Sequence, residues 1–93
     1  SKGLRYRGKY FLVISNPNKD QEAKLGLAVS KKYCRLAIQR NKIKRTIRES
    51  FRKNKDKLKG FDIVVLNNKS THAVRPQELF SDLEARWDKM SKG

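Results

Sequence analysis

Short apolar runs alternate with polar segments along the chain, and three of these runs have the length of β-strands. Residues 9–15 (KYFLVIS) are rich in β-branched and aromatic side chains, which favour strands. Residues 24–31 (KLGLAVSK) alternate between larger apolar and smaller side chains, and residues 61–67 (FDIVVLN) predict a third strand. The segment 16–21 (NPNKDQ) predicts a turn. We therefore expect the first two strands to pair antiparallel.

Between the second and third strands, apolar positions recur with helical spacing. At about 100° per residue they fall within one arc, which predicts a long helix with a narrow core stripe. The stripe consists of Leu36, Ile43, Ile47, Phe51 and Leu58. Gly60 follows where a left-handed C-terminal cap is expected. A last helix is predicted to begin near Pro76, with Leu79, Leu83, Trp87 and Met90 facing the core.

The strand–helix–strand order of residues 24–67 predicts a parallel strand pair connected by the long helix. With the first strand beside this pair, the predicted fold class is α+β, a small mixed β-sheet with a long basic helix and a C-terminal helix. Residues 1–93 are expected to form a single domain, because few chains of this length hold two cores. Both rows of side chains in residues 9–15 are largely apolar, so both faces of that strand are expected to be covered.

The charge balance points to a polyanionic partner. The chain has 24 Lys and Arg against 9 Asp and Glu, a net charge of +15, which favours nucleic acid or an anionic membrane. The membrane is the weaker alternative, because no apolar run approaches the roughly 20 residues that span a bilayer and neither helix combines a broad apolar face with a basic one. Cys34 is the only cysteine, which suits a cytoplasmic protein, and His72 is expected to be a loop residue.

The long helix concentrates cations beside its apolar stripe. Six positions on one face hold five cations and one amide, namely Asn41, Lys44, Arg45, Arg48, Arg52 and Lys55. Successive turns rise about 5.4 Å, close to the phosphate spacing of a nucleic-acid strand. No capping residue begins the helix and cations crowd its start, which lowers its own stability and favours a ligand-binding face over a solvated one. Arg40 falls inside the apolar arc and is expected to reach past the helix start to a ligand or an acid.

The remaining signals do not predict catalytic or metal-binding residues. Residues 3–10 (GLRYRGKY) resemble a phosphate loop, but Tyr10 stands where Ser or Thr would bind magnesium. The sequence does not place together paired carboxylates, a Ser/His/Asp set or a Cys/His dyad. This argues against a self-sufficient metal-dependent nuclease. Tyr6 and Tyr10 lie among cations and could stack on unpaired bases, although ordinary packing explains them equally well.

Residues 35–52 (RLAIQRNKIKRTIRESFR) closely resemble the R-N-x-x-K-R-x-x-R motif of the bacterial ribonuclease P protein subunit, which an aromatic residue follows. The matching positions are Arg40, Asn41, Lys44, Arg45, Arg48 and Phe51. The similarity continues in residues 25–32 and 61–66 and covers essentially the whole chain.

This resemblance implies an α+β sandwich whose βαβ crossover is left-handed, against the usual right-handed rule. It also implies a ribonucleoprotein subunit that binds a catalytic RNA and the 5′ leader of precursor tRNA and assists endonucleolytic removal of the leader. Catalysis and Mg²⁺ then belong to the RNA, and the protein itself binds no cofactor. The expected RNA contacts are Arg40, Asn41, Lys42, Lys44, Arg45, Arg48 and Arg52. The leader-cleft candidates are Tyr10, Leu12, Lys31 and Lys32.

One departure from the family concerns the N-terminus. Family members usually begin with a helix that forms one wall of the leader cleft, and this chain, which begins SKGLRYRGKY, is expected to lack it through truncation. Weaker leader binding, preserved binding of the RNA subunit and a surface for dimerisation or strand exchange would follow. A ribosomal or other structural RNA-binding module is the alternative. The apolar strand face with basic and aromatic neighbours favours the processing subunit.

Overall fold

The computed structural model describes residues 3–32, 34–68 and 74–92, so His72 lies outside the described residues. The strands are β1 (Leu4–Arg7), β2 (Phe11–Pro17), β3 (Lys24–Ala28) and β4 (Phe61–Asn67). The helices are α1 (Ala37–Lys53), a short 3-10 helix (Lys55–Leu58) and α2 (Pro76–Lys92). A mixed four-stranded sheet with two α-helices confirms the predicted α+β class.

The strand order in the sheet is β1-β2-β4-β3. β3 and β4 are parallel and α1 connects them, as predicted. The expected antiparallel pairing of residues 9–15 with residues 24–31 is wrong, because β4 lies between β2 and β3 and pairs with both. β4 can take this central place because Ile63 and Val65 are buried against the helices while its two edges remain available for pairing. The left-handed sense of the crossover stays an expectation from the family resemblance.

β1 was not predicted, because four residues with two arginines give too short an apolar signal. It pairs antiparallel with β2, and α2 holds the turn between them. The Asp82 carboxylate accepts hydrogen bonds from the backbone N–H groups of Lys9, Tyr10 and Phe11 at 3.0, 3.1 and 3.2 Å. A Cβ atom at Gly8 would lie 2.6 Å from Asp82 Oδ1, so a larger residue there would displace the Asp82 carboxylate.

Both helices pack on one face of the sheet. The largest buried side chains of the sheet and of α2 are Phe11, Val13, Ile63, Val65, Leu79, Leu83, Trp87 and Met90. The predicted core stripe of α2 is therefore confirmed. Phe51 and Trp87 meet edge to face with ring centroids 6.3 Å apart, and Trp87 Nε1 donates a hydrogen bond to Ser50 Oγ at 2.9 Å. These contacts join α1 to α2.

The predicted stripe of α1 is correct in its middle and wrong at its start. Ile43, Ile47 and Phe51 are buried, whereas Leu36 is 61% exposed because the helix begins only at Ala37. Leu58 is buried, but it belongs to the 3-10 helix, so the predicted continuous helix is interrupted at Asn54. Gly60 has the expected left-handed conformation, with φ of 87°.

The opposite face of the sheet stays partly open among the described residues, which contradicts the expectation that both faces of residues 9–15 are covered. Leu12 and Ile14 are half-buried and lie opposite Leu66 and Val64 of β4. Val64 is 36% exposed. Because both helices pack on the other face, this apolar strip is available to a ligand.

Candidate nucleic-acid interface

The start of α1 has the uncapped geometry that the sequence predicts. Leu36, at the N-cap, makes no side-chain capping hydrogen bond, and the first turn contains no acid. Arg40 reaches back past the helix start, as expected, but its acceptors are the chain's own carbonyl oxygens rather than a ligand or an acid. Its Nη1 donates to the carbonyl oxygens of Cys34 at 3.1 Å and Arg35 at 2.8 Å. Arg40 therefore fixes the segment that leads into α1.

The outward side of α1 carries most of the residues expected to contact RNA. Exposed side chains along it are Asn41, Lys42, Arg45, Arg48 and Arg52, and Lys44 is half-buried. Lys55 is displaced from this row because it belongs to the 3-10 helix. Planar guanidinium groups can hold phosphate oxygens with two parallel hydrogen bonds, and lysines add point charges. This side of α1 can therefore bind a phosphate backbone.

Arg52 lies at the margin of this row and already has an acidic neighbour. Its Nη2 donates to Glu49 Oε2 at 2.9 Å, and this hydrogen bond lowers the pKa of the Glu49 carboxyl. The side chain of Arg52 is 68% exposed and that of Glu49 is 46% exposed, so the pair can exchange for a phosphate contact at small cost. Within the described residues, neither Arg45 nor Arg48 donates a hydrogen bond to an acidic side chain.

Cys34 is a structural residue at the entrance to α1. It is 1% exposed, and burial raises the pKa of its thiol above the ordinary value, although the charge of Arg40 opposes this shift. A buried thiol with a raised pKa is a poor nucleophile. Cys34 therefore acts as a small packed hydrophobe.

Lys31 and Lys32 join the cations at the start of α1. β3 ends at Ala28, earlier than predicted, and both lysines are exposed in the turn that follows. The backbone holds this turn in place, because the Ser30 N–H donates to Asn67 Oδ1 at 2.7 Å and the Cys34 N–H donates to the Ser30 carbonyl at 3.1 Å. The two lysines are therefore held close to the entrance of α1.

The other two cleft candidates have different surroundings. Leu12 lies on the open face of the sheet, next to Val64 and Leu66 of β4. Tyr10 precedes β2 and lines a depression with the first turns of α2, and Lys9 Nζ lies 5.4 Å from its ring centroid. The structure thus brings Leu12 together with an apolar sheet strip, and it brings Tyr10 together with polar side chains of α2.

Arg5 and Arg7 are among the cations beside Tyr6 and Tyr10 in the sequence, but they were not among the predicted leader-cleft residues. In the register of β1 with β2, Arg5 lies opposite Ile14 and Arg7 lies opposite Leu12, so both point to the open face. Both are exposed. The alternation in Leu-Arg-Tyr-Arg was the available signal, and it would have required recognising β1. The open face therefore combines an apolar strip with two cations at its edge.

The described part of the chain contains neither a metal-binding cluster nor a membrane-spanning helix. Across residues 3–32, 34–68 and 74–92, His, Cys, Asp and Glu side chains do not gather in groups of three that could hold a metal ion. Within the same residues, neither helix has the length and apolar character needed to cross a membrane.

Comparison with known proteins agrees with this geometry. The profile of the Ribonuclease P family matches residues 1–91. The ribonuclease P protein component of Azotobacter vinelandii is 38% identical over 85 residues, which cover 91% of this chain and 65% of that protein. The component of Pseudomonas aeruginosa LESB58 is 40% identical over 83 residues, covering 89% and 62%. The chain thus spans slightly less than two thirds of the length of these relatives.

Solved structures show the same fold. The RNase P protein of Staphylococcus aureus superposes with a TM-score of 0.87 at 32% identity, covering 96% of this chain and 82% of that one. The RNase P protein of Thermotoga maritima superposes with a TM-score of 0.84 at 33% identity, covering 95% and 84%. With the motif of α1, the sheet topology and these similarities in agreement, the chain belongs to the ribonuclease P protein family.

Proposed function

We propose that this chain acts as the protein subunit of a ribonuclease P ribonucleoprotein, which removes the 5′ leader from precursor tRNA. The observation that carries the proposal is the row of exposed Asn41, Arg45 and Arg48 along α1. Family membership supports it, because the relatives that this chain matches are named ribonuclease P protein components. In this proposal, α1 binds the catalytic RNA, and the holoenzyme is the endonuclease.

The binding of RNA by α1 is mainly electrostatic. Arg45 and Arg48 contact backbone phosphates, and each contact releases condensed counterions from the RNA. Arg40 acts indirectly by fixing the residues that lead into α1. Affinity is therefore expected to fall steeply with salt, with each phosphate contact contributing about −0.7 to −0.9 to the slope of log affinity against log salt.

The precursor tRNA is the second proposed partner, and the open sheet face is its site. Unpaired bases of the leader pack on Leu12, Ile14 and Val64, while Arg5 and Arg7 neutralise leader phosphates. Leader and RNA subunit then lie on opposite sides of the sheet, because α1 packs on its other face. The same apolar strip would also bring two copies together when RNA is absent, and sedimentation at rising protein concentration tests this.

The chemistry is assigned to the RNA subunit together with its Mg²⁺ ions. On this proposal, the protein's contribution is to lower the repulsion between the two RNAs and to hold the leader. Its effect should therefore be largest where Mg²⁺ is scarce, since the protein's cations then replace part of the screening that the metal would supply.

The test is cleavage of a precursor tRNA by a bacterial ribonuclease P RNA at low Mg²⁺, with and without this protein. The variant replaces Arg45 and Arg48 with Ala. The control replaces Lys19 and Lys89 with Ala. Both are exposed cations outside α1, so this variant loses the same net charge as the arginine variant. We expect the protein to stimulate cleavage, the control to stimulate equally, and the arginine variant to lose the effect.

Two results would contradict the proposal. Equal loss in both double variants would mean that only net charge matters. RNA binding without any stimulation of cleavage would favour a structural RNA-binding module instead.

A further inference from the structure

Two large apolar side chains are exposed at the start of α1. Leu36 is 61% exposed and Ile38 is 70% exposed. Leu36 occupies the N-cap, where a polar side chain would stabilise the helix, and Ile38 is β-branched, which does not favour helix. Neither residue contributes to the core. Their exposure therefore needs an explanation outside the fold.

Ile38 lies in line with the basic row of α1. It precedes Asn41, Lys42 and Arg45 by three, four and seven residues, and these spacings place side chains on the same side of a helix. All three of those residues are exposed. Ile38 is thus continuous with the surface to which the proposed function assigns RNA binding, and Leu36 lies two residues before it, at the N-cap.

The charged residues that flank the pair along the chain all have one sign. Every charged residue between Glu22 and Glu49 is a lysine or an arginine. Lys31, Lys32 and Arg35 are exposed just before α1. A partner that covers Leu36 and Ile38 must therefore present apolar surface and negative charge together. An unpaired nucleotide does so, since its base has an apolar face and its phosphates are anionic.

We propose that Leu36 and Ile38 pack against an unpaired nucleotide of the RNA subunit, whose flanking phosphates contact Lys42 and Arg45. This inference rests on the proposed function and deepens it, since it adds an apolar contact to an electrostatic interface. The two kinds of contact differ in one measurable way. A phosphate contact releases counterions and changes the salt dependence of affinity, whereas an apolar contact changes affinity without changing that dependence.

The first experiment measures binding of a bacterial ribonuclease P RNA over a series of salt concentrations. Leu36→Ser combined with Ile38→Ser is expected to lower affinity about tenfold at every salt concentration, with the slope unchanged. Arg45→Ala is expected to change the slope by about 0.7 to 0.9. Leu4→Ser is the matched control, because Leu4 is 57% exposed but lies in β1, and it should bind as the unchanged protein does.

The second experiment observes the contact directly. Ile38→Cys places a thiol at an exposed position, whereas the natural Cys34 is buried and has a raised pKa, so an alkylating reagent should react selectively at position 38. Addition of the ribonuclease P RNA is expected to slow this alkylation at least tenfold. A cysteine at Leu4 should keep its rate.

The outcomes separate this inference from the proposed function. If Arg45→Ala changes the slope while the Leu36/Ile38 variant binds normally and position 38 stays reactive, the apolar contact is refuted and the proposed function stands. If the RNA binds no more tightly than an unrelated RNA of equal length, both are refuted. If position 38 is protected by high protein concentration without RNA, the pair is a contact between copies, and the inference is overturned.

Discussion

Ser50 is a fully buried polar side chain at the contact between α1 and α2. Its hydroxyl accepts the hydrogen bond from Trp87 Nε1 at 2.9 Å. Ser50→Ala would leave the buried indole N–H without an acceptor, so we expect the free energy of unfolding to fall by about 1–3 kcal/mol. Urea unfolding followed by the fluorescence of Trp87, the single tryptophan, measures this change.

Ser81→Ala provides the comparison, because Ser81 is an exposed serine of α2. Alanine favours helix slightly more than serine does, so this variant should be as stable as the unchanged protein or slightly more so. If both variants behave alike, the Ser50–Trp87 hydrogen bond does not stabilise the fold.

Arg40 and Arg45 belong to the same motif but have different environments. Arg40 donates to two carbonyl oxygens, whereas Arg45 is exposed. Lysine lacks the planar fork, so Arg40→Lys should lose at least one of these hydrogen bonds and about 1 kcal/mol of stability. Arg45→Lys should leave the urea midpoint unchanged and weaken RNA binding. The opposite pattern of stabilities would show that Arg40 does not fix the entrance to α1.

At the scale of elements, α2 determines the position of the β1–β2 turn. Asp82 accepts three backbone N–H groups, and Gly8 leaves the room for its carboxylate. Asp82→Ala should cost about 2 kcal/mol, since hydrogen bonds to charged groups are lost. Gly8→Ala should also destabilise, because its Cβ would displace the same carboxylate.

The two substitutions should not add, because each removes the same contact. Thermal or urea unfolding of both single variants and of the double variant measures the coupling. Glu84→Ala, at an exposed acid of α2, should have little effect. Additive losses from Gly8→Ala and Asp82→Ala would mean that the two residues act independently.

The helices could be predicted from sequence more fully than the sheet. The predicted core stripe of α2 is correct at every position. In a helix, short sequence spacing alone determines which residues share a face. Strand alternation identified the two faces of β2. The alternation does not indicate which strand lies beside β2. The pairing of β2 with β4 depends on contacts distant in the chain, and a local pattern cannot supply them.

The candidate site shows the same limit. The helical spacing placed Asn41, Arg45 and Arg48 together, and the structure exposes all three. The acceptors of Arg40 could not be predicted, because they are backbone carbonyls of the preceding segment. Leu36 was assigned to the core because spacing cannot show that the helix begins one residue later.

For the whole molecule, the net charge of +15 opposes compactness. Screening shortens the range of this repulsion from about 30 Å at 0.01 M salt to about 8 Å at 0.15 M. We therefore expect the thermal midpoint of the protein without RNA to rise over this range. Calorimetry or circular dichroism at each salt concentration measures it. A midpoint that falls would mean that the few ion pairs, such as Lys57 with Asp88, outweigh the repulsion.

β4 is the last of the described strands along the chain, yet it lies in the interior of the sheet. A ribosome therefore releases β2, β3 and the whole of α1 before the strand with which β2 and β3 both pair. Until Phe61–Asn67 leaves the exit tunnel, the nascent chain is an incompletely folded polycation beside ribosomal RNA. Folding during synthesis thus competes with premature binding to RNA at least until β4 emerges.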